Sequence, residues 1–199
     1  MPRYAIARQA IASIAALVVV TLALGFGYPL VVTGISQLFF RHQANGSLVY
    51  DSGKLTGSAL LGQSFTDAKG NPLPQYFQPR PSAVDYDGAG SGASNLGPSN
   101  PVLLNSVSER ARAYRVFNHL PAGAAVPVDA VTASGSGLDP DISVANALDQ
   151  ASRVAGARHL PAARVVALVH QYTTGSQWGF LSEPVVNVLQ INMALDGLR

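Results

Sequence analysis

Between Arg8 and Arg41 the chain runs for 32 residues, Gln9 to Phe40, without a charge. A bilayer core about 30 Å thick is crossed by roughly 20 apolar residues in a helix rising about 1.5 Å per residue. Ile11 to Leu30 supply them, with Ser13 and Thr21 as the polar breaks. Both hydroxyls can bond to a carbonyl one turn earlier, so they are compatible with lipid. Gly25, Gly27 and Pro29 are expected to kink the far end, which neighbouring helices can tolerate. A cleaved leader and a buried core helix compete with this reading. Ala23-Leu24-Gly25 resembles a cleavage site, but the apolar pattern continues through Val31-Val32 to Phe39-Phe40, and a core helix rarely needs so long a run. The pattern predicts one transmembrane span with its interface over residues 9–40.

After the span the pattern breaks into short runs. Leu48-Val49-Tyr50 and Leu60 to Phe65 read as strands, and Lys69-Gly70-Asn71-Pro72 as a turn. The prolines around Tyr76-Phe77-Gln78 exclude a helix there. Gly88 to Pro98 is a Gly/Ser/Ala/Asn connector; it lacks the lysine and hydroxyl of a phosphate loop. Asn100-Pro101 then caps a helix expected to reach about Phe117, with Leu103, Val107, Ala111 and Tyr114 on one face. Arg110, Arg112 and Arg115 are expected to form a solvated basic face on it, anion binding being the alternative.

Val128 to Ala133 is expected to be a short strand running into Ser134-Gly135-Ser136-Gly137. That turn reads either as an anion nest or as a tight turn in which Asp139, Asp141 and Ser143 compete to cap the next helix. In that helix Val144, Ala147, Leu148, Ala151 and Val154 share a face. A further helix is expected from Pro161, with Val165, Leu168, Val169 and Tyr172 together, then a loop over Thr173–Gly179. Asn187 is placed to cap a last helix from Val188 to about Leu198. These elements predict an α+β fold: one N-terminal transmembrane helix followed by one loop-rich soluble domain.

The 199 residues carry a net charge of +2 with only 12% charged residues, too mild for a nucleic-acid partner or an acidic substrate. With no cysteine, disulfides, thiolate nucleophiles and cysteine metal sites are excluded. His42, His119, His159 and His170 are scattered, Glu109 and Glu183 are the only glutamates, and no catalytic or metal-binding spacing emerges. Ala12, Ala16, Ala23 and Gly27 recur at small-residue spacing and are candidates for packing against a partner helix, lipid-facing filler being the alternative. Arg3 and Arg8 before the span favour a cytoplasmic N terminus, residues 1–8, and an extracytoplasmic domain over 41–199.

Several stretches resemble a known family. They are Tyr76-Phe77-Gln78 with Arg80-Pro81-Ser82-Ala83, Ser94 to Pro101, Val131 to Pro140 with Ile142-Ser143, Arg153-Val154-Ala155 with Ala157-Arg158, and Glu183-Pro184 with Val186 to Leu189 and Asn192. In this order, behind an N-terminal span, they resemble the C subunit of the bacterial Kdp potassium-transporting ATPase. Asp141 and Val185 stand where the resemblance leads one to expect His and Arg. The resemblance implies a non-catalytic subunit of a high-affinity ATP-driven potassium pump in the inner membrane. Its partners would be a channel-like potassium-binding subunit, a P-type ATPase subunit and a small single-span subunit. It implies a role in assembly and a proposed one as a catalytic chaperone raising ATP affinity, with Ser134, Gly135, Ser136, Gly137 and Gln150 compared to an ATP-signature loop. No cofactor of its own is implied, ATP acting through the complex. A membrane-anchored exported enzyme and a solute-binding module remain the other classes.

Overall fold

The structure, a computed structural model, describes residues 2–176 and 178–198. The chain divides into two compact units between Ser47 and Leu48. In the first, α1 (Pro2–Val20) runs into a π-helical segment (Thr21–Gly27), then α2 (Tyr28–Phe39) and a single turn, α3 (Arg41–Ala44). Tyr4–Phe39 is long and apolar enough to cross a membrane, and none of its most apolar stretch is buried within the protein. The irregularity expected from Gly25, Gly27 and Pro29 takes the form of the π segment. Pro29 lacks an N–H and so cannot make the usual helical bond, which a wider turn just before it accommodates.

The second unit opens with a hairpin, β1 (Leu48–Asp51) and β2 (Lys54–Ser58), antiparallel with a bulge between Val49 and Tyr50. Its helices are α4 (Pro101–Phe117), α5 (Val128–Val131), α6 (Val144–Arg158), α7 (Ala162–Gln171) and α8 (Val188–Asp196). A small antiparallel sheet in the order β3-β5-β4 joins Asp141–Ser143, Val185–Asn187 and Thr173–Thr174. The expected α+β class, an N-terminal apolar helix ahead of a domain of helices and small sheets, is borne out. The core gathers Ile142 and Val186 from the sheet with the inward faces of α6, α7 and α8 and with Phe77 from the long loop.

The caps follow the sequence. Asn100, Ser143 and Asn187 each accept a backbone N–H of the helix they precede. Ser143 therefore wins the competition with Asp139 and Asp141. His119 and His159 take left-handed backbone angles just past α4 and α6, where their roles are those of helix terminators.

Three expectations are corrected. Val128–Val131 is a helical turn, because Pro127 sets the entering φ and Asp129 lies in the first turn. Leu60 to Phe65 is not a strand: the Leu60 N–H bonds the Ser58 hydroxyl, and Gly62 turns aside to donate to the Leu138 carbonyl. A Cβ at Gly62 would lie 2.6 Å from the Asp139 carbonyl oxygen, so the chain uses the bare glycine to pass. The basic cluster of α4 is not a purely solvated face either, since Arg110 and Arg115 donate to the carbonyls of Val131 and Ala124. Gln177, in the loop expected over Thr173–Gly179, lies outside the described residues.

Candidate functional site

Residues 59–100 contain no helix and one isolated bridge, Thr66 to Pro72, yet Phe77 at their middle is fully buried. An extended segment inside a domain must satisfy its backbone. Here side-chain amides do it. The Asn192 amide accepts from the Phe77 N–H at 2.8 Å and donates to the Phe77 carbonyl at 2.9 Å. The Gln150 amide does the same for Gln78, at 2.7 and 3.0 Å. The two helices α6 and α8 thus hold the segment as neighbouring strands would.

Gln150 is 2% exposed, and the rest of its bonding goes to Asn146 Oδ1 and the Arg153 guanidinium. Arg153 also donates to Asn118 and to the carbonyls of Pro74 and Tyr76, and lies over the Phe117 ring. Burial pulls its pKa down to about 10. Every guanidinium nitrogen has an acceptor, so it remains the cation that ties the loop to α4 and α6. Asn146 extends the network to Asp129, whose carboxylate also accepts from the Ser143 N–H and hydroxyl. The Tyr114 hydroxyl donates to Asn146, and burial raises its pKa.

The Ser134–Gly137 turn is closed by its own hydroxyls. The Gly137 N–H donates to Ser134 Oγ at 2.8 Å and the Leu138 N–H to Ser136 Oγ at 3.1 Å. Its carbonyls face the long loop. Ser136 accepts from the Gly92 N–H and the Ser91 hydroxyl, and Gly137 from the Ser82 hydroxyl. The connector from Gly88 to Pro98 is therefore fastened to this turn. An anion nest needs free N–H groups, and those of Gly137 and Leu138 are engaged. Gln150 and the turn share none of these bonding partners; the structure gives them to two separate fastenings of the same loop.

Arg80 pairs with Asp139 at 2.7 Å, while Asp139 also accepts the Asp141 N–H. These residues border a cavity of about 570 Å³ together with Asp129, Asp141, Glu183 and Asn187. Among the described residues no group of His, Asp and Glu is disposed to hold a metal ion. Burial raises the pKa of Asp141; the Asn187 amide lowers it and Asp139 raises it further. Its folded value lies above the ordinary 3.8, so ionisation with rising pH opposes folding. Asp141→Asn is expected to raise the melting temperature at pH 7, the gain shrinking as the pH falls and vanishing below 3.8, where the acid is protonated in the unfolded state as well as the folded one. Thermal melts at several pH values check this, and a gain that grows on acidification would refute it.

A family model described as KdpC: K+-transporting ATPase, c chain, matches residues 10–197. A potassium-transporting ATPase KdpC subunit of Mycobacterium tuberculosis (strain ATCC 25618 / H37Rv) is 52% identical over 193 residues, covering 96% of this chain and 99% of that protein. KdpC subunits of Sorangium cellulosum (strain So ce56) and Methylococcus capsulatus are 53% and 52% identical over 187 residues, in each case 92% of this chain and 94% of the relative. The chain belongs to the KdpC family.

Family membership and the apolar N-terminal helix together make this KdpC chain a membrane protein. Within the KdpC domain, the two positions that departed from the expected pattern share one small sheet. Asp141 pairs with Asn187 and Val185 with Ser143. The polar network was missed in the sequence, although Asn146, Gln150 and Arg153 recur at spacings of four and three on α6. They lie beside the apolar Ala147, Ala151 and Val154, and a polar stripe bordering a buried face is the signal that could have found them.

Proposed function

We propose that the chain is a non-catalytic subunit of an ATP-driven potassium pump, anchored by its one span and needed for assembly of the complex. The family match across residues 10–197 carries this reading. The proposed partners are a channel-like potassium-binding subunit, a P-type ATPase subunit and a small single-span subunit. The way the domain uses its polar residues supports a structural role. Gln150 and the Ser134 and Ser136 hydroxyls are committed to bonds within the chain, so an effect on ATP affinity is proposed to act by coupling between distant sites and not by contact with ATP. Purification of the tagged chain from its native membrane, with identification of what accompanies it, tests the reading; recovery without pump subunits would overturn it.

Orientation bears on the same mechanism. The residues flanking the span favour the N terminus inside and the domain outside. The chain has no cysteine, and nothing lies within 4 Å of a Cβ built on Gly123. Gly123→Cys is expected to react with a membrane-impermeant maleimide in intact spheroplasts. Reaction only after lysis, beside an externally placed control that reacts normally, would reverse the topology and restore direct ATP contact.

The small-residue face gives a third test. Ala12 and Ala16 lie in α1, Ala23 and Gly27 in the π segment, and all four are exposed. A π turn takes in one more residue than an α turn, so the four align less tightly than in a straight α-helix. Gly27→Leu is expected to reduce recovery of the channel-like subunit several-fold, and Val19→Leu much less. Equal recovery with both would remove this face as a packing surface.

A further inference from the structure

The loop from β4 to β5 presents large apolar side chains to solvent: Trp178 is 86% exposed, Phe180 74% and Leu181 43%. Its backbone is bent through positive φ at Trp178 (53°), Gly179 (80°) and Ser182 (65°). A bulky residue in the left-handed region costs about 1–2 kcal/mol, and the exposed rings forgo the stabilisation of burial. A free surface gains from neither feature, whereas a Trp and Phe projecting from a bent loop is the composition of an anchor that fills a partner's pocket.

Charge selects the partner. Both ends of the loop line the acidic cavity, where Asp129, Asp139, Asp141 and Glu183 face the single guanidinium of Arg80. From Gln171 to Leu198 there is no lysine or arginine. An anionic lipid surface attracts basic segments and repels this one. We propose that Trp178, Phe180 and Leu181 dock in an apolar cleft rimmed by Lys or Arg on another protein chain of the same pump. This rests on the subunit reading and names the surface through which the domain engages its partner.

The test uses the full-length chain co-expressed with the other pump subunits. Phe180 replaced by photoreactive p-benzoylphenylalanine is expected to crosslink to a pump subunit, with the attachment point mapping beside basic residues. Trp178→Ala with Phe180→Ala is expected to lower recovery of that subunit about tenfold or more, with the melting temperature of the chain unchanged. Glu183→Lys should weaken recovery in the same direction. An assembled complex that gives no protein crosslink, with recovery unchanged in the double variant, would overturn the proposal. So would strong quenching of Trp178, the only tryptophan, by brominated lipids when the chain alone is placed in nanodiscs, which would make the bilayer the occupant. A wild-type chain that recovers no pump subunit would overturn the subunit reading itself, and the docking surface with it.

Discussion

Gly137→Val is expected to destabilise the domain by about 2–5 kcal/mol, the sum of left-handed strain and overpacking. Gly137 has φ +69°, and a Cβ there would lie 2.5 Å from Val84 Cγ2 and 2.7 Å from the Gly92 carbonyl oxygen. The Gly92 backbone cannot retreat without losing its bond to Ser136. Gly135, two residues away, has nothing within 4 Å of a Cβ and no positive φ. Gly135→Val should therefore cost well under half as much. Denaturant melts of the detergent-solubilised chain separate the two. In the complex, Gly137→Val is expected to lower the amount assembled before it alters the KM for ATP. A fully assembled Gly137→Val complex with a selectively raised KM would favour a nucleotide role for the turn.

Gln150→Leu is expected to be comparably damaging. It leaves the Gln78 N–H and carbonyl, one arm of Arg153 and Asn146 Oδ1 without the bonds they make to this amide. A buried group left unsatisfied costs about 1–3 kcal/mol, and partial relaxation limits the total to about 3–5 kcal/mol. At roughly 2–4 °C per kcal/mol for a domain of this size, the melting temperature should fall by about 6–20 °C. A variant melting within about 2 °C of wild type, but with a changed KM for ATP, would sink the structural account of Gln150.

The helices were legible because their signals are local. Asn100-Pro101, Ser143 and Asn187 mark starts, and α4 ends at Phe117 as its pattern indicated. The sheet was not legible, because its three strands are only two or three residues long, too short for an alternating pattern to register. Val128 to Ala133 misled because its β-branched Val128, Val131 and Thr132 favour a strand, while Pro127 and Asp129 settle the helical turn. The glycines of the Ser134–Gly137 turn were visible, but not the loop they fit against: Gly137 meets Val84 and Gly92, some fifty residues away. Gln150 likewise stood out by resemblance, whereas its bond to Gln78, 72 residues distant, exists only in the fold. The exposed Trp178 gave no sign of its exposure in sequence, where a lone tryptophan reads equally well as core.

The clasp on Phe77 has a consequence in time. Its partner Asn192 lies 115 residues further along the chain. At synthesis rates of about 5–20 residues per second, that interval is roughly 6–23 s. The N-terminal helix is complete long before then, so the chain is tethered while Phe77 still lacks the last helix that encloses it. Truncation before Asn192 is therefore expected to leave residues 59–100 open to protease in an otherwise anchored protein, and the newborn domain to need protection until its final turn has emerged.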